Sequence, residues 1–387
     1  MKQLQLCACL AVLTLAPGAS GQPQTNMSGV LLSKDYLGVY RLGPSGPIQR
    51  LVGTDIHAAA VAANGTAAGF RASDREQTGP LFLVRGATRT ELPHSSGGVG
   101  CVAFSADRSL VAYVSGRPTL TKPSSGLDYF RLDGTLWLAE VAHPEHARAI
   151  DAGTFATSEC PLPAPTGARF AYFLRTASGD SGLRLYRNGG VGTIADDPSP
   201  VPSTHDRSFA WAPNGTLGFT RGDDLWIGHN RIAENLATTL AARANSQHAR
   251  AIDFSANGRF VAVSLGNKTG IFQLNGQLVR VVNGHLIEWS GSQGVLTIGL
   301  TKKFQVGFSR FPLRGPSRLL AYYFKLPAVS DPAGAWFAYP EARRSQLVFR
   351  RANGSLLRVA QFKFGSVAIP LAAVAPSGRL SVPAGSY

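Results

Sequence analysis

A short phrase recurs eight times along this chain and limits its fold more than any other feature: an apolar strand, a tight turn that mostly closes on glycine, then a second apolar strand. The clearest copy reads Ala251-Ile252-Asp253-Phe254-Ser255-Ala256-Asn257-Gly258-Arg259-Phe260-Val261-Ala262-Val263-Ser264. Others surround Asp107-Arg108, Asn214-Gly215 and Ser377-Gly378, and weaker copies centre on Gly65, Gly167, Gly294 and Gly334. Successive turns lie 43, 59, 48, 43, 36, 40 and 44 residues apart. Periods near forty, with room for two further strands between turns, are the mark of propeller blades. Asp224-Leu225-Trp226-Ile227 is one of those intervening strands.

The expectation is an all-β chain forming a single β-propeller of about eight four-stranded blades, or seven if the irregular stretch from Ser115 to Cys160 hides an insertion. Strands such as Phe260-Val261-Ala262-Val263 and Phe170-Ala171-Tyr172-Phe173 are apolar on both faces, as sheets sandwiched between two neighbours require. Strand material at Tyr36–Arg41 and Ile48–Val52 precedes the first full phrase, and an a-b hairpin ends the chain. These N- and C-terminal strands are expected to share one blade and close the ring, which leaves no large open sheet edge. Composition agrees: 43 Gly, 24 Pro and only 16% charged residues suit short strands and many tight turns. Asn-Gly at 64, 214 and 257 fits hairpin turns, and the sequons at Asn64 and Asn214 read as turns too.

Residues 1–21 read as a secretory signal peptide, with a basic start, an apolar run from Leu4 to Ala16 and small residues beyond it. Residues 22–387 are then the propeller, exported to the periplasm or secreted, a monomer with no segment inserted in a membrane. Loss of the leader removes Cys7 and Cys9. Cys101 and Cys160 remain as a disulfide candidate in an oxidising compartment.

Phe254-Ser255-Ala256-Asn257-Gly258-Arg259 and its relatives resemble the WD40-like, or PD40, repeat of the TolB type, whose usual wording is Phe-Ser-Pro-Asp-Gly before an apolar strand. The resemblance covers most of the mature chain and implies the propeller fold. It does not imply one function, since scaffold proteins and propeller caps of peptidases share the repeat. The Asp of the turn is missing from most copies, and an extra N-terminal domain like TolB's is not expected.

Charge is the strongest functional signal. Formal net charge is +15, and basic residues crowd the stretch from Thr301 to Lys363. Arg343, Arg344, Arg350 and Arg351 flank one strand there and are the candidate contacts for an anionic polymer of the cell envelope. A protein partner is the other binding reading. Both describe a non-catalytic binding or scaffold platform without a cofactor. The enzymatic alternative is a metal-dependent, lactonase-like hydrolase. It would hold a divalent metal at the channel mouth through His57, His205, His248 and His285, which lie eight to ten residues before the turns at 65, 215, 258 and 294, each preceding the first strand of a repeat. Bracing of blades is the competing role for these histidines. Gly179-Asp180-Ser181-Gly182 matches a serine-protease nucleophile signature over four residues only and reads as a loop. The five tryptophans read as core residues of a, b and c strands.

Overall fold

The computed structural model describes residues 28–35, 37–74, 79–121, 129–156, 161–176, 181–196, 208–242, 250–300, 305–322, 327–341, 344–363, 366, 368–374 and 380–381. The recurring phrase has a hydrogen-bonding cause. Ser255, fully buried, donates its hydroxyl to Asn257 Oδ1 at 2.9 Å and accepts the Phe260 N–H at 3.0 Å. Asn257 Oδ1 also accepts the Arg259 N–H at 3.1 Å. Ser105 and Asp107 build the same turn, with the Leu110 N–H at 3.0 Å from the Ser105 hydroxyl. Each phrase therefore carries its own turn chemistry. The last turn residue needs a left-handed backbone, which glycine adopts freely: φ is 85° at Gly65, 81° at Gly215 and 67° at Gly258. Arg108 holds φ 65° in the same place without that freedom.

Among the described residues the strands form seven antiparallel sheets. Five are four-stranded meanders spanning 56–91, 209–233, 250–283, 285–321 and 329–361. A sixth is eight-stranded and consists of two such meanders, 99–156 and 162–196, whose direct joining pair is Thr154 with Arg175. We number these meanders blades 1 to 7 in chain order, with strands a to d from the inner edge outward. The wide sheet falls in the irregular stretch noted in the sequence. In blade 2 the b and c strands, Leu110–Thr121 and Tyr129–Glu140, pair without a break over twelve positions. One helix, Leu236–Thr239, is a single turn, and no helix among the described residues is long and apolar enough to cross a membrane.

The chain ends meet as expected, but their shares differ. The N-terminal side supplies three strands, Gly29–Lys34, Leu37–Leu42 and Gln49–Val52, and the C-terminal side supplies the inner strand Ala368–Val374. Gly29–Lys34 pairs with Ala368–Val374 from Gly29↔Val374 to Lys34↔Ala368. The expected C-terminal b strand, Leu380–Ser381, instead lies on the other edge of Ala368–Val374 as a fifth strand. The b position must be buried on both faces, and Val30, Leu31 and Leu32, all fully buried, meet that requirement.

Eight apolar clusters fill the seams between neighbouring units, one per seam, including those on either side of the closing blade. Between blades 6 and 7, Phe308 meets Tyr339 edge-on with ring centres 5.0 Å apart. Arginines bind the outer rim. Arg280, on the d strand of blade 5, donates to Pro312 O at 2.7 Å and Gly315 O at 2.8 Å in the c-d turn of blade 6. Arg358, at the same place in blade 7, donates to Gly43 O at 2.8 Å and Gly46 O at 2.7 Å in the closing blade.

Two stability outcomes follow from this architecture. Arg108→Gly is expected to raise the urea midpoint, by roughly 1 kcal/mol in unfolding free energy, because it relieves a left-handed backbone. Arg358→Ala, which removes two charge-assisted bonds across the closing seam, is expected to cost about 2 kcal/mol in the same titration.

Candidate functional site

In a four-strand meander the a-b and c-d turns lie at one end and the b-c turns at the other. At the a-b end the inner strands of blades 2 to 7 surround a cavity of about 140 Å³. That is below the roughly 300–1,000 Å³ of drug-sized clefts and suits a single side chain or a similar small group. Its walls include the aromatic rings of Phe104, Trp211, Phe254 and Trp289, and three carboxylates, Asp253, Glu288 and Asp331, line it from successive blades.

Two of these carboxylates act as clips between blades. Asp253 Oδ2 accepts the backbone N–H of Trp289 at 3.0 Å, and Glu288 Oε1 accepts that of Ser330 at 2.9 Å. Asp253 and Glu288 occupy equivalent places in adjacent a strands, so the same bond is made twice around the axis. The tryptophans repeat a second clip: the Trp289 indole donates to Asp253 O at 2.9 Å, and the Trp211 indole to Leu162 O at 3.0 Å. Ser330 adds a short hydroxyl bond to Trp289 O.

Asp331 differs. It takes the turn position that Ser105, Ser255 and Ser290 fill elsewhere, and it is 3% exposed. Its Oδ2 accepts the Ala335 N–H at 3.1 Å, whereas its Oδ1 is buried with no hydrogen-bond partner among the described residues. Burial raises its carboxyl above the ordinary aspartate value, and the N–H groups of Ala335 and Ala333 oppose that only in part. A buried carboxylate oxygen without a donor carries a desolvation cost that an incoming donor or cation would remove.

The histidines lie at the other end. His57 Nε2 is 3.1 Å from Ala72 O beside the b-c turn of its own blade. His285 Nδ1 is 3.0 Å from Gly266 O, in the b-c turn of the preceding blade. They sit inside strands Ile56–Val61 and His285–Trp289 of blades 1 and 6, and His205 and His248 lie outside the described residues. Among the described residues the group of His, Cys, Asp and Glu close enough to share a metal is His143, Glu145 and His146, and it contains neither.

The structure also separates the arginines. Arg344 and Arg351 lie at opposite ends of strand Gln346–Arg351, roughly 20 Å apart at strand rise. The Arg344 side chain is 73% exposed, with Glu341 at 3.9 Å. Arg350 is half-buried, donating to the Tyr339 hydroxyl at 3.1 Å and to Gly354 O at 3.0 Å. Arg351, exposed, lies 3.5 Å from Ser355 Oγ and Leu356 O. Arg343 is outside the described residues. Cys101 is buried and disulfide-bonded, while Cys160 lies outside the described residues. Gly179 and Asp180 also lie outside them, and Ser181 opens the c strand of blade 3.

Sequence reading missed the three cavity carboxylates. A signal was present in the aligned phrases: the place before the a-strand aromatic is Ala103 or Ala210 in two copies but Asp253 and Glu288 in two others. A charge in the innermost, otherwise apolar strand marks the axis.

No family model matches the chain, and no curated protein matches it by sequence. Similar solved structures include BamB from Moraxella catarrhalis, at 13% identity over 86% of this chain and 97% of that one, with a TM-score of 0.48. The Pseudomonas aeruginosa periplasmic gluconolactonase PpgL is 15% identical over 93% of this chain and 99% of that one, at a TM-score of 0.38. TolB from Acinetobacter baumannii is 11% identical over 72% of this chain and 64% of that one, at 0.34. The ring of antiparallel meanders makes the chain a β-propeller.

Asp331 gives the site a pH signature. Its folded pKa is raised, so its contribution is fully favourable below the ordinary value of 3.8 and is lost as pH rises through the folded value. Asp331→Asn keeps an oxygen for the Ala335 N–H and abolishes the titration. The variant is expected to be more stable than the parent at pH 7 and equal to it near pH 3, read as urea midpoints. An equal loss of stability at both values would count against this account.

Proposed function

We propose that this protein is an exported, non-catalytic binding propeller that holds a protein partner over its a-b turn end. A basic group of the partner, a lysine or arginine side chain or an amino terminus, sits in the axial cavity. The observation that carries this reading is Asp331, a residue of the cavity lining that is 3% exposed and has one carboxylate oxygen unbonded among the described residues. A desolvated cation there gains a carboxylate partner within an aromatic lining. The surrounding clips hold the inner strands together before binding, so little ordering remains to oppose association.

The charge of the whole chain does not prevent this. At physiological salt, fields from surface arginines fade over roughly 8 Å, and the cavity decides locally. The anionic-polymer reading has less geometric support: Arg350 and Arg358 are engaged with carbonyl groups, and Arg344 and Arg351 face opposite ends of a strand.

The test is calorimetric titration with N-acetyl-lysine methylamide and with arginine amide, using the uncharged norleucine analogue as control. The parent is expected to bind at least one cationic compound saturably. Asp331→Asn, folded and at least as stable, should bind it at least tenfold more weakly, and the norleucine compound should not bind. Failure of both cations to bind the parent would overturn the reading.

A further inference from the structure

His143, Glu145 and His146 stand apart from the cavity, in the c-d turn of blade 2 between Tyr129–Glu140 and Arg148–Ala156. Glu145 Oε1 lies 3.4 Å from His143 Nδ1 and 4.0 Å from His146 Nε2, and the two rings stack with centres 5.7 Å apart. All three donor atoms lie within 4.8 Å of one another. Ligands bound at 2.0–2.1 Å around a tetrahedral zinc ion sit roughly 3.3 Å from each other. The turn thus already holds its donors close to the spacing of a coordination shell.

The backbone keeps them there. His143 N–H bonds to Glu140 O at 3.1 Å, His146 N–H to His143 O at 3.0 Å, and Pro144 fixes the dihedral between the histidines. Val141, buried, ties the turn to the a-b turn of the same blade through its N–H to Ser109 O at 2.7 Å. The backbone of the turn is therefore largely fixed before a metal arrives.

We propose that His143, Glu145 and His146 form a surface site for a late first-row divalent metal of the zinc, copper and nickel group. Two imidazoles and one carboxylate suit these ions, whereas calcium asks for six to eight oxygens, which this turn does not offer. Side-chain exposures of 62%, 59% and 71% leave the remaining coordination positions open to solvent, and so to a ligand from another molecule. The c-d turns share the end of the molecule where the cavity opens. A metal here would give that end a second contact point, independent of Asp331.

The test is titration of untagged, chelator-treated protein with zinc chloride by calorimetry at pH 7, then at pH 5. One equivalent is expected at pH 7, weakened at least tenfold at pH 5, because protons compete with a divalent metal for its ligands. His143→Ala, His146→Ala and Glu145→Gln should each weaken binding tenfold or more. All three change exposed side chains, and an unchanged melting temperature without metal would verify the fold. Absence of a stoichiometric site in the parent, or equal affinity in the double His143→Ala, His146→Ala variant, would overturn the proposal. Asp331→Asn should leave zinc binding unchanged, which separates this site from the cavity.

Discussion

A sheet that is apolar on both faces must have a neighbour on each side, and every other feature of this molecule answers that demand. Among the described residues, strand units meet at eight apolar seams, and each unit packs both faces against a neighbour. The demand reaches the chain ends: residues more than three hundred positions apart pair along Gly29–Lys34 and Ala368–Val374. That ladder sets Val30, Leu31 and Leu32 into the closing seams, and without it blades 1 and 7 would each present a greasy face.

Seams filled by aliphatic and aromatic side chains have little angular preference of their own. The polar bonds at the two radii of the ring supply it. Near the axis, Asp253, Glu288 and the indoles of Trp211 and Trp289 reach backbone groups of neighbouring blades. At the rim, Arg280 and Arg358 hold the next c-d turn. Carboxylates inside and guanidinium groups outside thus repeat the same device, a charged side chain satisfying backbone groups across a seam. Asp331 departs from this pattern, since it stands where Ser105 and Ser255 complete the turn in other blades and has a buried carboxyl oxygen without a partner among the described residues. Residues that cost stability without an evident structural return are where binding sites are to be sought.

Much of the chain's charge was visible by counting, yet its use was not. Arg350 and Arg358 look like free cations in the sequence, but one reaches the Tyr339 hydroxyl and the other two turn carbonyls 312 and 315 residues away. His285 recurs near a turn as a ligand set would, and the fold ties it to Gly266 O of the preceding blade. Sequence spacing places such residues at one end of their blades, but it does not say which neighbour a side chain meets.

The local phrase determined the repeat and the strand order within each unit, because a buried serine, an Asn or Asp and a left-handed glycine are enough to build a hairpin from a few consecutive residues. It also placed Trp137, Trp211, Trp226, Trp289 and Trp336 in the strands where they lie. Only the tertiary structure decided that the N-terminal side gives three strands to the closing blade, that Asp253, Glu288 and Asp331 converge on the axis, and that Arg344 and Arg351 diverge. Convergence at an axis depends on how many units the ring holds and how each is rotated against the next. Those quantities are set by packing across seams between segments roughly forty residues apart, which no local pattern encodes.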